Sequence, residues 1–147
     1  MHITTHILGA AGDIRKAATR VFRRHGLSPA QFNVLNLLSD QPDGLSAGVL
    51  AEELVVDPSN VTGLVGRMKR DGLLVTRRSP GDARMHVARL SAKGRRLWEA
   101  SYADYANELA QFDAMLDEAG VPPDLLKELT GLIVMISEFC RQKAIVS

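Results

Sequence analysis

The chain has 147 residues, 46% of them apolar and 24% charged, with 18 Lys and Arg against 17 Asp and Glu. That length supports one domain with a real core, or a small domain plus an oligomerisation element, and the composition is that of a globular chain rather than a disordered or membrane-embedded one. No apolar run approaches a membrane span, no signal peptide pattern opens the chain, and the single Cys140 excludes an internal disulfide framework, so a cytoplasmic protein is expected.

The first expected element is a helix from about His6 to His25. Ile7, Ala11, Ile14, Ala18, Val21 and Phe22 form its apolar stripe, and Arg15, Lys16, Arg20, Arg23 and Arg24 lie outside it. Gly26-Leu27 ends it. Ser28-Pro29-Ala30-Gln31 then opens a second helix with a capping box, and Phe32, Leu35 and Leu38 are its expected buried side. Pro42-Asp43-Gly44 reads as a turn and Leu45 as a short strand. Ser46 caps a short helix carrying Val49, Leu50 and Leu54. Val55-Val56 turns the chain into the next helix, completing a helix-turn-helix pattern.

That next helix is the organising one. Asp57 can cap it and Pro58 suits its first position. Val61, Leu64, Val65 and Met68 recur at i, i+3, i+4 and i+7 and define a buried face. The opposite face carries Ser59, Gly63, Gly66 and Arg70, flanked by Asn60, Thr62, Arg67 and Lys69. Gly72 stops the helix. Strand formers at Leu73–Thr76, Arg77-Arg78, a Ser79-Pro80-Gly81-Asp82 turn and a strand around His86–Leu90 make a basic hairpin, or wing. From Pro58 to Arg96 there are ten basic residues against two acidic ones, a net of +8, while the rest of the chain carries −7. A polarity of this size is the footprint of a polyanion binder; the bland alternative is a solvated basic face.

Ser91 caps a long helix expected to reach about Leu116. Trp98, Tyr102, Tyr105, Leu109, Phe112 and Leu116 form a seam at alternating steps of four and three, able to meet another helix. Gly120-Val121-Pro122-Pro123 breaks the pattern, and a last helix follows from about Asp124 to Lys143 with a broad apolar set. The division expected is 1–27 and 97–147 as a helical dimerisation region around a winged helix-turn-helix at 28–96. The fold class is mainly α with a small β-hairpin wing. A monomer with these helices folded back is the alternative to a homodimer.

This order of elements resembles the MarR family of bacterial transcription regulators. The resemblance covers essentially the whole chain and rests on LSPAQFNVLNLL, LSAGVLAEEL, DPSNVTGLVGRMKRDGLLVTRR, the wing's Asp82-Ala83-Arg84, and LSAKGRRL. It implies a symmetric dimer on a pseudo-palindromic operator, usually repressing a nearby gene and often released by a small ligand. Gly63 and Gly66 depart from the family's pattern, which more often has larger polar side chains there. Each costs roughly 1 kcal/mol of helix stability relative to Ala. They could permit close backbone approach to DNA or mean fewer base contacts.

The expected DNA-binding residues are Ser59, Asn60, Thr62, Gly63, Arg67, Arg70, Arg77, Arg78 and Arg84. Ser59, Asn60 and Thr62 stand in the first turns, where reading helices reach base edges; capping alone is the alternative for Ser59 and Asn60. Arg67 is read as pairing with Asp82 and touching phosphate. Arg70 could reach phosphate or base, or pair with an acid at the surface. Arg84 is assigned to the minor groove and Asp82 to positioning the wing. Arg77, Arg78 and Arg89 are phosphate contacts or solvated charge. Cys140 is read as an inert packed thiol rather than an oxidant sensor, His2 and His6 as a terminal pair rather than a metal site, and His25 and His86 as structural or surface. No cofactor, metal or catalytic constellation is expected. The expected partners are double-stranded DNA, a second copy and a small effector. The competing reading is a protein-interaction module whose basic wing docks an acidic partner.

Overall fold

A computed structural model describes residues 2–54, 56–78 and 86–145. In chain order the elements are α1 (Ile3–Arg24), α2 (Pro29–Ser39), β1 (Leu45–Ser46), α3 (Ala47–Leu54), α4 (Pro58–Arg70), β2 (Leu74–Arg78), β3 (His86–Leu90), α5 (Ala92–Glu118) and α6 (Pro123–Ile145). Helices with a small antiparallel sheet are the class the pattern predicts.

The local causes are those the sequence advertises. At the start of α2, Ser28 Oγ accepts from the Gln31 N–H at 3.2 Å while Gln31 Oε1 accepts from the Ser28 N–H at 2.9 Å, the reciprocal capping box. Gly72 takes a φ of 74°, a region that L side chains avoid, and so ends α4. There the Leu73 N–H returns to the Met68 carbonyl at 2.9 Å and the chain leaves directly into β2.

The sheet has the order β1-β3-β2. Leu45 lies opposite Ala88, so the short strand expected at Leu45 does pair with the hairpin. In the hairpin Leu74 faces Leu90, Val75 faces Arg89, Thr76 faces Ala88, Arg77 faces Val87 and Arg78 faces His86. The wing's turn, with Asp82 and Arg84, lies outside the described residues, as does Val55.

Two compact units divide the chain, Met1–Ala106 and Asn107–Ser147. The first holds the core: Phe22, Phe32, Val34, Leu35, Leu38, Leu50, Val61, Met68 and Leu74 are all buried. Phe22 and Phe32 stack at 3.9 Å, and Tyr105 packs against both rings at 5.3 and 5.6 Å. In this unit Ile3, Leu8 and Ile14 of α1 remain exposed.

The second unit contains the end of α5 and all of α6. Leu109, Phe112, Met115, Leu125, Leu129, Ile133, Val134, Met135 and Phe139 are exposed in it. The expected α5 seam is therefore divided. Tyr105 belongs to the first unit's core, and Trp98 Nε1 donates to Asn36 Oδ1 at 3.2 Å, whereas Tyr102, Leu109 and Phe112 are 45%, 43% and 48% exposed. Side chains placed by a heptad rule share a face of the helix, but what covers that face changes along 27 residues. Cys140 corrects an expectation: it is exposed rather than packed, and none of the described side chains of α6 is buried.

Candidate nucleic-acid interface

The reading helix is built from its N-terminus. Asp57 Oδ1 accepts the Ser59 N–H at 2.8 Å and also the Ser59 hydroxyl. These two bonds, the hydroxyl first, hold the Asp57 carboxyl below its usual range, since both favour the ionised form. Pro58 occupies the first helical position. Val61 and Met68 are buried in the core and Leu64 and Val65 are half-buried against it. That fixes the rotation of α4 and leaves Ser59, Asn60, Thr62, Gly63, Arg67, Lys69 and Arg70 exposed. Gly66 differs from the expectation and is half-buried, at the margin of the face.

Two hydroxyls on this face are already committed as donors. Ser59 Oγ donates to Asp57, and Thr62 Oγ1 donates to the Pro58 carbonyl at 3.0 Å. What each has left to offer is a lone pair. In the major groove such acceptors match the amino groups of cytosine and adenine, whereas a phosphate oxygen, itself an acceptor, would first have to draw the hydroxyl proton away. Ser59 thus serves the cap as well as the surface. Asn60 keeps its amide exposed and unengaged among the described residues. Arg67 Nη1 lies 3.5 Å from where a Cβ on Gly63 would stand, an ordinary contact distance, so the guanidinium folds back along the helix over that residue. Its expected pairing with Asp82 falls outside the described residues.

The sheet sorts the other cations. Partners opposite one another share a face and successive residues alternate. Arg77 therefore lies with Val75, Val87 and Arg89, while Arg78 lies at the outer end of the face of Leu74, Ala88 and Leu90. Arg77 and Arg78 are both exposed but point to opposite sides of the hairpin. Arg89 is half-buried, and its Cγ stands 2.6 Å from the site of a Cβ on Gly44, so its stem packs over that turn.

Not every cation of the basic segment is available. Lys93 Nζ donates to the Asp71 carbonyl at 2.8 Å, and Arg95 Nη2 to the Ser39 carbonyl at 3.2 Å. They neutralise the C-terminal ends of α4 and α2. Ser91 does related work: its Oγ accepts from the Gly94 N–H at 2.9 Å and donates to the Gly72 carbonyl at 2.6 Å, while its own N–H reaches the Leu73 carbonyl at 3.0 Å. Sequence spacing shows Ser91 as a cap but not as the clasp between α5 and the turn after α4.

Sequence reasoning also misses a groove of about 490 Å³ in which Ser28, Ala30 and Asn33 of the α2 entrance face Asn60, Gly63 and Arg67 of α4. Nothing in the spacing of two helices gives the distance between them. Elsewhere, His25 Nε2 meets Asp104 Oδ2 at 2.8 Å, which fits its structural reading. Among the described residues no helix is long and apolar enough to cross a membrane.

A profile of the MarR family matches residues 25–85. The transcriptional activatory protein BadR of Rhodopseudomonas palustris is 37% identical over 91 residues, 60% of this chain and 52% of that protein, so the match spans about half the relative's length. The HTH-type transcriptional regulator MhqR of Bacillus subtilis is 30% identical over 101 residues, 67% of each chain. Among solved structures, CouR of Rhodococcus jostii RHA1 bound to p-coumaroyl-CoA superposes with a TM-score of 0.75 at 24% identity, over 91% of this chain and 90% of that one. The transcriptional repressor CouR bound to a 23-mer DNA duplex gives 0.76 at 24% identity, over 92% of each chain.

Proposed function

The chain belongs to the MarR family of transcriptional regulators, and from that premise we propose that it is a cytoplasmic homodimer that reads a pseudo-palindromic operator and represses the adjacent gene. It is a regulator, not an enzyme. The observation that carries the reading is the orientation of α4. Val61 and Met68 are sunk in the core, and Asn60, Thr62, Arg67 and Arg70 stand outward on a groove-sized helix beside a basic hairpin.

Two copies of α4 in a dimer would enter successive major grooves, about 34–36 Å apart. The exposed apolar residues of the second unit support pairing, since a monomer rarely leaves so many large side chains in water. A small effector that changes the spacing of the two readers would release the operator. CouR's complex with p-coumaroyl-CoA supports that class of control by analogy. Asn60 and Thr62 are assigned to base edges, Arg67 and Arg70 to phosphate or base, Arg77 and Arg78 to phosphate, Arg84 to the minor groove and Asp82 to holding the wing.

The test is selection of bound duplexes from a random pool, followed by titration across salt. A dimeric reader enriches an inverted repeat, and its affinity falls by orders of magnitude between about 50 and 200 mM salt. A basic module that docks an acidic protein would enrich no sequence.

A further inference from the structure

Five cations fall between Arg15 and Arg24 of α1, where Asp13 is the nearest acid. At 100° per residue Arg15, Lys16, Thr19, Arg20 and Arg23 form one sector, turned away from the apolar stripe of Ile7, Ile14, Ala18 and Val21. These residues and Pro29 line a cleft of about 520 Å³. Lys16 is paired with Asp13 at 2.9 Å. Among the described residues the guanidinium groups of Arg15, Arg20 and Arg23 have no acidic partner and no hydrogen bond. Like charges one turn apart repel, and a face serving solubility alone interleaves both signs.

Pro29 opens α2, and its neighbours Ser28 and Ala30 line the groove that reaches Asn60, Gly63 and Arg67. The cleft on the cationic face of α1 and the groove on the reading face of α4 therefore adjoin at the first turn of α2, through consecutive residues. A free organic phosphate would fit the charge, but that adjacency favours one long polyanion lying over both.

We propose that Arg15, Arg20 and Arg23 bind backbone phosphates of the same duplex that α4 reads, at a place separate from helix and wing. It rests on the DNA-reading role proposed for α4. Arg15 and Arg23 stand about 12 Å apart along α1, and a duplex presents a phosphate about every 1.7 Å of its axis, so three guanidinium groups over that length do not lack partners.

The test compares the full-length protein with Arg15→Gln/Arg20→Gln/Arg23→Gln on the selected operator. Gln is a good helix former, and circular dichroism checks the fold; Arg23→Gln alone is the milder second variant. The slope of log affinity against log salt should become shallower by about 0.9 for each phosphate no longer neutralised, up to about 3 per protomer. Phosphate ethylation should cease to interfere at a distinct subset of positions, with base protection under α4 unchanged. An unchanged slope, or uniform weakening with every interfering phosphate retained, overturns the proposal. So does binding of ADP, used as a small organic phosphate, that the triple variant abolishes while the ethylation pattern stays. If the wild-type protein selects no sequence, the α4 reading falls first, and the wild-type arm alone shows it.

Discussion

Replacing Gly94 with Ala should break the clasp between α5 and the turn after α4. A Cβ on Gly94 would stand 2.0 Å from the Leu73 carbonyl oxygen, 3.0 Å from its carbon and 3.4 Å from its Cα. All three are backbone atoms, so no side chain can swing aside. Restoring a 3.4 Å separation from 2.0 Å means parting the two segments by about 1.4 Å, which stretches the bonds of Ser91 to Leu73 and to Gly72. Overpacking of this kind costs about 1–3 kcal/mol, and two weakened hydrogen bonds add about 1 kcal/mol each. The better helix propensity of Ala returns about 1 kcal/mol. The net expectation is a loss of about 2–4 kcal/mol, read by urea unfolding at fixed protein concentration with an unchanged m-value. A Gly94→Ala protein as stable as the parent, or more stable, would refute the close approach.

Three further outcomes follow from the reading helix. Thr62→Val keeps the shape and removes the acceptor lone pair, so discrimination should fall by about 1 kcal/mol, the worth of one hydrogen bond, at a single cytosine or adenine position; equal weakening on all duplexes in a binding-site profile would move Thr62 to the phosphate class. Nothing lies within 4 Å of a Cβ on Gly66, so Gly66→Ala should gain up to about 1 kcal/mol of stability in urea. Loss of operator affinity in that more stable protein would locate a close backbone approach to DNA. The folded-state pKa of Asp57 is depressed, so its contribution to stability is complete above the unfolded value, near its ordinary 3.8, and fades as pH falls through the folded one. Asp57→Ala should therefore be less stable than the parent at neutral pH, and the two unfolding curves should converge under strong acid; a constant gap would mean the carboxylate charge plays no part.

Much of the fold can be read from residues alone because its causes are local. The capping box at Ser28, the Asp57-Pro58 entrance and the Val61–Met68 periodicity each act within a turn or two of chain. Leu45 is legible from its place before a capped helix. What escapes depends on register between distant segments. The sequence shows Lys93 and Arg95 as two more charges on a basic stretch, and only the packing of α5 shows them bound to the carbonyls of Asp71 and Ser39. Thr62 escapes for a different reason: its bond to the Pro58 carbonyl lies within one turn, but it depends on a rotamer that residue spacing does not give. The basic face of α1 looks like the solvated side of an amphipathic helix, and only the packing shows that, among the described residues, Arg15, Arg20 and Arg23 have no acidic partner whereas Lys16 has Asp13.

The clasp at Ser91 has a mechanical meaning. Ser91, Lys93 and the bare Gly94 together seize three successive carbonyls, those of Asp71, Gly72 and Leu73. Those bonds tie the opening turns of α5 directly to the tail of α4, so a tilt of either must carry the other or break them. A push on the first turns of α5 need not travel through the core to re-aim the residues that stand outward on α4, for the crank and the pointer are already bolted together.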